Sequence, residues 1–216
     1  MTSGLSLVLV RHGETEWMER GRLHGRLDSP LTAAGRLHAE QAAQRLRGEH
    51  FDALYSSPLG RALQTAEILG NAVGLTPQPL DGLAELGFGW MEGAPAFLWR
   101  DGATAAAAFR PVRALIHWLS GERAGDFRNR VARALDGITA RHRQGRLLLV
   151  AHFAVFSCLL GVMMGGSVSD WGRFGPWTPG AISEVRRLSE SHEGRKLGWE
   201  IVRLNDVSHL QEGKAA

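Results

Sequence analysis

Two histidines in this chain each follow an uninterrupted apolar run. His12 lies in Arg11-His12-Gly13-Glu14-Thr15, directly after Leu7-Val8-Leu9-Val10. His152 follows Leu147-Leu148-Leu149-Val150-Ala151 in the same manner. A neutral imidazole is a competent nucleophile toward phosphorus and can carry the transferred group covalently. It attacks only when unprotonated and held in one tautomer, so its other ring nitrogen should donate to a carbonyl or carboxylate. Arg11 adds a planar fork of donors suited to phosphate oxygens. Gly13 permits a sharp turn and a close approach of ligand to backbone. A lone histidine is more often structural than catalytic, and a strand-end arginine more often forms a salt bridge. Two strand-end histidines are harder to assign to packing. If their strands are neighbours, both rings flank one phosphate.

Two further groups would complete a phosphoryl-transfer kit. Arg61 falls in the first turn of an expected helix after Ser56-Ser57-Pro58, off its apolar stripe. Most arginines so placed are solvated, but a guanidinium beside helix N-terminal amides is also a ready anion site. Glu85 sits in Leu83-Ala84-Glu85-Leu86-Gly87-Phe88-Gly89-Trp90-Met91-Glu92-Gly93. A leaving alkoxide needs a proton and an attacking water needs a base. One carboxyl group can do both if apolar neighbours raise its pKa. Glu92 competes for that role, and both could be ordinary loop carboxylates. Phe153 opens the helix after His152, whose amides would face the same anion. The histidines lack zinc-ligand spacing, so neither metal nor cofactor is expected.

The elements that would position these groups alternate strand and helix. Leu5–Val10, Ala53–Ser56, a weaker Thr76–Leu80 and Arg146–Ala151 read as strands, the first and last as buried parallel ones. Thr32 caps a helix to about Arg47, stopped by Gly48. Ser57-Pro58 starts the next, with Ser57 as cap, Pro58 at the first helical position and Leu59, Leu63, Ala66, Leu69 and Val73 as its apolar stripe. Ala103–Leu119 reads as helical. Asp126 caps an amphipathic helix with Phe127, Val131, Leu135 and Ile138 on one face. Phe153–Met164 is a buried helix, and Ile182–Leu188 with Trp199–Leu204 form a closing strand pair. This pattern predicts α/β architecture: a single three-layer, doubly wound domain over residues 1–216 with a mostly parallel sheet. Residues 83–125 are expected as an insertion over the active-site edge. Ligands bind at the carboxyl edge of such sheets, where His12, Arg61 and His152 would all fall.

Composition narrows the function classes. The 216 residues are 44% hydrophobic and 22% charged, with a formal net charge of +3. The basic excess is spread along the chain without a basic stripe, so anionic metabolites are expected as partners and nucleic acid is not. Cys158 is the one cysteine, which rules out an internal disulfide and fits a reducing compartment. The longest apolar run, Phe153 to Met164, is too short to span a bilayer. No leader pattern precedes the first strand. A cytoplasmic protein without membrane partners is expected, with a homodimer left open.

The order of these motifs resembles the histidine phosphatase superfamily, in the branch of cofactor-dependent phosphoglycerate mutases and their phosphatase relatives. The likeness runs through Arg11-His12-Gly13-Glu14-Thr15, Gly25, Asp28-Ser29-Pro30-Leu31-Thr32 and Gly35. It continues through Ser56-Ser57-Pro58 with Arg61, Glu85 with Gly89-Trp90-Met91-Glu92-Gly93, and Gly121-Glu122 before Arg130-Val131. It ends with Val150-Ala151-His152 and Leu204-Asn205-Asp206-Val207-Ser208-His209-Leu210. The resemblance implies His12 as the phosphorylated nucleophile, Arg11, Arg61 and His152 as the phosphate pocket, and Glu85 as acid and base. Gly13, Thr15, His24 and Phe153 are the remaining expected phosphate or substrate contacts.

Departures from the family pattern are Met18 for an asparagine, His24 for a glutamine, and Phe153-Ala154 for two glycines. They imply a reshaped, more apolar substrate mouth, to which Trp90, Phe97, Trp99 and Phe109 would add unless they only pack the core. The leading expectation is a metal-independent phosphomonoesterase acting on a small phosphorylated metabolite. A phosphoglycerate mutase and a weakly active phosphate-binding module are the rival readings. The chain looks too compact for the shielded site a mutase needs.

Overall fold

Burial along the central strands alternates between two apolar faces, and that alternation builds the layers. A computed structural model describes residues 4–96, 121–167, 174–188 and 198–210. The strands are β1 (Leu5–Arg11), β2 (Ala53–Ser56), β3 (Gln78–Pro79), β4 (Gly145–Ala151), β5 (Ile182–Arg187) and β6 (Trp199–Asp206). The helices are α1 (Glu16–Glu19), α2 (Ala33–Leu46), α3 (Gly60–Val73), α4 (Ala124–Arg141) and α5 (Phe153–Met163). The strands form one sheet in the order β3-β2-β4-β1-β5-β6. The first four run parallel, while β5 and β6 are antiparallel.

Successive strand side chains point to opposite faces. Leu5, Leu7 and Leu9 of β1 pack with Leu147 and Leu149 of β4 against Phe127, Val131 and Ile138 of α4 and Phe156 and Leu159 of α5. Val8 and Val10 pack with Leu148 and Val150 against Ala42 and Leu46 of α2 and Ala62, Ala66 and Leu69 of α3. Both faces are therefore dry, which explains why β1 and β4 read as continuous apolar runs. The result is the three-layer, mostly parallel α/β domain expected from the sequence.

Local signals hold at several ends. Thr32 Oγ1 accepts from Gly35 N at 2.9 Å and caps α2 as predicted. Other boundaries move. Helix α3 begins at Gly60, with Leu59 as an N-cap that makes no side-chain bond. Ser57 is not its cap, because its hydroxyl pairs with His152 instead. The buried stripe of α3 is Ala62, Ala66 and Leu69, joined by Arg61 and Thr65, while Leu59, Leu63 and Val73 are only part-buried. Helix α4 starts two residues before Asp126, after Arg123. Helix α1 arises within the stretch between Gly13 and Pro30 that carries no helix signal, capped by Thr15, whose Oγ1 accepts from Met18 N. The β3 strand shrinks to two residues. The helix expected over Ala103–Leu119 lies outside the described residues, as do Phe97, Trp99 and Phe109.

The chain just after β1 is set by glycine packing. A Cβ on Gly35 would lie 1.9 Å from Glu14 O, and one on Gly13 would lie 2.1 Å from Gly35 O. Backbone meets backbone here, so no side chain can move aside. Gly35→Ala should therefore cost roughly 2–4 kcal/mol in urea unfolding. Gly137 on the exposed side of α4 has nothing within 4 Å of an added Cβ. Gly137→Ala should instead stabilise by about 0.5–1 kcal/mol, because alanine is the better helix former. Equal effects at the two positions would contradict this packing.

Candidate active site

Parallel pairing of β1 with β4 sets Arg11 opposite Ala151, so the next residues, His12 and His152, emerge side by side. Their ring centroids are 5.0 Å apart. Both rings are buried, His12 at 3% and His152 at 0% exposure. His12 Nδ1 lies 2.8 Å from Gly13 O. A carbonyl can only accept, so Nδ1 carries the hydrogen and Nε2 keeps its lone pair. His12 lines a cavity of about 580 Å³ together with Arg11, Met18, His24, Arg61, Glu85 and Phe153, among others. Burial holds its pKa well below the usual histidine range, and the nearby Arg61 and Arg11 guanidinium groups push the same way. The ring is thus neutral and fixed in one tautomer.

Arg61 is 1% exposed, contrary to the ordinary fate of a surface arginine. Its Nη1 donates to Leu27 O at 2.9 Å and Asp28 Oδ1 at 3.2 Å, and its Nη2 donates to Gly25 O at 2.8 Å. Asp28 Oδ1 also accepts from the Arg61 backbone N. Arg11 Nη1 donates to Trp177 O, and Nη2 reaches Met18 Sδ at 3.8 Å. Met18 therefore borders Arg11 with a thioether, a weak acceptor that leaves the cation largely unneutralised. Burial pushes the Arg11 pKa down to about 10, against the attraction of Glu85. The Nε atoms of Arg11 and Arg61 and the Nδ1 of His152 are buried without a hydrogen-bond partner. Buried donors left unpaired are costly. Arg11 and Arg61 line the cavity, where unpaired guanidinium N–H groups suit an anion with several acceptor oxygens; His152 sits beside His12 without lining it.

Glu85 Oε2 accepts from Ala154 N at 3.4 Å, in the first turn of α5, and Oε1 accepts from its own Leu86 N at 3.0 Å. Burial raises its pKa, more than those hydrogen bonds and the two arginines lower it. Glu92 takes a different part. Its Oε1 accepts from Arg26 N and Phe88 N, and its Oε2 accepts from Leu27 N, at 2.9–3.1 Å. It ties the loop around Arg61 to the loop carrying Glu85 and does not line the cavity. Arg130 of α4 completes the support. It donates to Gly82 O, Ala84 O and Glu85 O while paired to Glu122 at 2.8 Å.

The other expected contacts divide. His24 lines the cavity, with Nε2 at 2.6 Å from Thr15 Oγ1 and its pKa lowered by burial to about 4. Phe153 lines it too, 5.8 Å from the Arg11 guanidinium carbon. Thr15 is fully buried behind His24 and Met18, whose contacts tie it to the cavity without its lining it. The Gly13 amide donates to Thr65 Oγ1 at 3.1 Å, so it is engaged within the fold. Trp90 is 81% exposed and stands apart from the cavity lining. Sequence reasoning did not assign roles to Asp28, Ser57 or Thr65. A buried Arg61 would have demanded a carboxylate such as Asp28, but its burial was not legible. Among the described residues no three His, Cys, Asp or Glu side chains gather as a metal site, and no helix is long and apolar enough to cross a membrane.

Residues 7–207 match the model of the histidine phosphatase superfamily, branch 1. The chain belongs to this superfamily. A relative named probable phosphoglycerate mutase GpmB, from Proteus mirabilis, is 33% identical over 224 aligned residues, covering 96% of each chain. A solved structure of a putative α-ribazole-5'-P phosphatase from Escherichia coli has a TM-score of 0.77 at 26% identity, covering 94% of this chain and 97% of its own. A mycobacterial glucosyl-3-phosphoglycerate phosphatase has a TM-score of 0.76 at 26% identity, with 93% and 98% coverage. Similar superfamily proteins thus carry both phosphatase and mutase names.

The buried histidines give this histidine phosphatase superfamily chain an acid-sensitive fold. In the unfolded chain each takes up a proton as pH falls through about 6.5. In the folded chain His12, His24 and His152 stay neutral to lower pH, His24 to about 4. The unfolded state then binds more protons, so stability falls with pH. Glu85, with its raised pKa, acts oppositely: it favours the fold in acid and loses that contribution as pH rises through its folded pKa. Three histidines outweigh one carboxyl group. The urea midpoint should fall between about pH 7 and about pH 5, and His24→Gln should flatten the slope by up to about 1.4 kcal/mol per pH unit.

Proposed function

We propose that this chain is a phosphomonoesterase that works through a phosphohistidine on His12, with a phosphorylated small molecule as substrate. One observation carries the reading. Gly13 O holds Nδ1–H, so the neutral Nε2 remains as nucleophile in a cavity shared with two guanidinium groups and a carboxyl group. In the first step Nε2 bonds to phosphorus and the P–O bond to the leaving alcohol breaks. Glu85, whose pKa burial raises, gives its proton to the leaving oxygen. In the second step water attacks phosphorus, the Glu85 carboxylate takes the water's proton, and the P–N bond breaks. Arg11, Arg61 and His152 stabilise the transferring group's charge, the task a metal performs elsewhere. Ser57 donates to His152 Nε2 in this scheme, which leaves the hydrogen on Nδ1 to meet a phosphate oxygen.

The described lining beyond these groups mixes apolar side chains with one further cation, which suits a small leaving group with an apolar part. Met18, Leu23, Leu86, Phe88 and Phe153 line the cavity, as do Arg22 and His24. A mutase reading is favoured by the curated relatives, 33–34% identical, that are named as probable phosphoglycerate mutases.

Mutation, mass spectrometry, metal removal and an isomerisation assay test the proposal. His12→Ala should abolish turnover, and mass spectrometry after a non-acidic quench should find the phosphate on the peptide containing His12. Activity should survive exhaustive EDTA. Glu85→Gln should slow alkyl phosphate hydrolysis by about 10²-fold or more and nitrophenyl phosphate far less, because nitrophenolate needs little protonation. Wild-type alkyl phosphate turnover should also decline above the raised Glu85 pKa. Isomerisation of 3-phosphoglycerate, primed with bisphosphate, at a rate above hydrolysis of every monoester tried would establish the mutase reading instead.

A further inference from the structure

The C-terminal motif Leu204-Asn205-Asp206-Val207-Ser208-His209-Leu210 has no part in the chemistry above. Its geometry suggests one. Asn205, in β6, has φ of 52°, the one positive value for a non-glycine residue among those described. A side-chain-bearing residue keeps such a backbone only where its surroundings over-determine it. Three hydrogen bonds do so. Asn205 N donates to Ser183 Oγ at 2.8 Å, Oδ1 accepts from Thr178 N at 2.6 Å, and Nδ2 donates to Thr178 Oγ1 at 3.2 Å.

The Thr178 N–H belongs to the same peptide group as the Trp177 carbonyl, and that carbonyl accepts from Arg11 Nη1. A peptide group is planar and trans, so its N–H and C=O point in opposite directions. Fixing the N–H on Asn205 therefore aims the C=O at Arg11. The Trp177 ring is anchored separately, its Nε1 donating to Ser157 Oγ and Phe174 O at 3.0 and 2.9 Å. Two residues on, Gly180 N donates to Arg11 O at 3.0 Å, while Gly180 O accepts from His209 Nε2 at 3.0 Å. The C-terminal segment thus grips the 177–180 loop at two points, and the loop grips Arg11 by side chain and backbone.

We infer that Asn205 is a positioning residue for Arg11, acting through the Trp177–Thr178 peptide, and that His209 steadies the same loop. The inference rests on the reading of Arg11 as a phosphate-holding group. Without the Asn205 amide the peptide is free to rotate, and the Arg11 guanidinium loses the acceptor that orients its fork.

A double-mutant cycle read by calorimetric binding of inorganic phosphate tests this. Asn205→Gly keeps the left-handed backbone at no steric cost and removes the amide. It should weaken phosphate binding about tenfold, within the range of couplings between contacting groups. Arg11→Ala should weaken binding further, and the double variant should bind no worse than Arg11→Ala alone. Asn205→Asp, whose Oδ1 can still accept from Thr178 N, should recover most of the affinity. Wild-type affinity in Asn205→Gly, or the same tenfold loss added on top of Arg11→Ala, would overturn the positioning role. Arg11→Ala that binds phosphate as tightly as wild type would instead overturn the phosphate reading of the site. Should the glycine variant not fold, His209→Ala, which releases the loop at Gly180, enters the same cycle with the same two readings.

Discussion

A guanidinium can be buried only where its fork meets acceptors from several directions, and the site is organised around Arg61 for that reason. The carbonyls of Gly25 and Leu27 and the Asp28 carboxylate must all reach it, so the segment from Gly25 to Asp28 has to wrap the first turn of α3. The wrapped segment leaves its own amides in need of acceptors, and Glu92 takes those of Arg26 and Leu27. Through Glu92 the Glu85 loop is brought alongside. Its backbone carbonyls are then satisfied by Arg130, itself neutralised by Glu122. One buried charge thus organises four separate stretches of chain.

The same arrangement sets the electrostatics. Arg11 and Arg61 share the cavity with Glu85, and Asp28 stands behind Arg61. Two fixed cations and desolvation keep the imidazoles neutral, while desolvation of Glu85 works toward its protonated form. An imidazole pushed toward its neutral form and a carboxyl group pushed toward its protonated form then share one cavity, as the proposed reaction needs. Neither state depends on an unusual side chain. Each follows from removing water around ordinary ones and placing guanidinium groups within reach.

Support reaches the site from both ends of the chain. The glycine contact between Gly13 and Gly35 fixes the turn after β1, where His12 Nδ1 finds its carbonyl. The antiparallel β5–β6 pair lies at the other side of β1 and delivers Asn205 and His209 to the loop behind Arg11. The central β1 strand is consequently fastened on both flanks, which suits a strand whose last residue and its successor would position the phosphate in the proposed reaction.

The sequence by itself determined the layered α/β architecture and set His12 and His152 at strand ends, while the sheet order made those strands neighbours. Apolar runs of strand length, helices of 3.6-residue period and strand-end histidines are local patterns, and each survives folding because burial on both faces of the sheet demands them. Cap and stripe assignments were less legible. Ser57 reads locally as a helix cap, yet His152, far along the chain, takes its hydroxyl. Leu59 and Leu63 read as stripe residues, yet Arg61 and Thr65 take the buried side of α3 because acceptors and Gly13 await them there. Glu85 and Glu92 are indistinguishable as letters. Only tertiary structure set one in a desolvated cavity and the other across three backbone amides, since desolvation and hydrogen bonding depend on neighbours that sequence distance does not reveal.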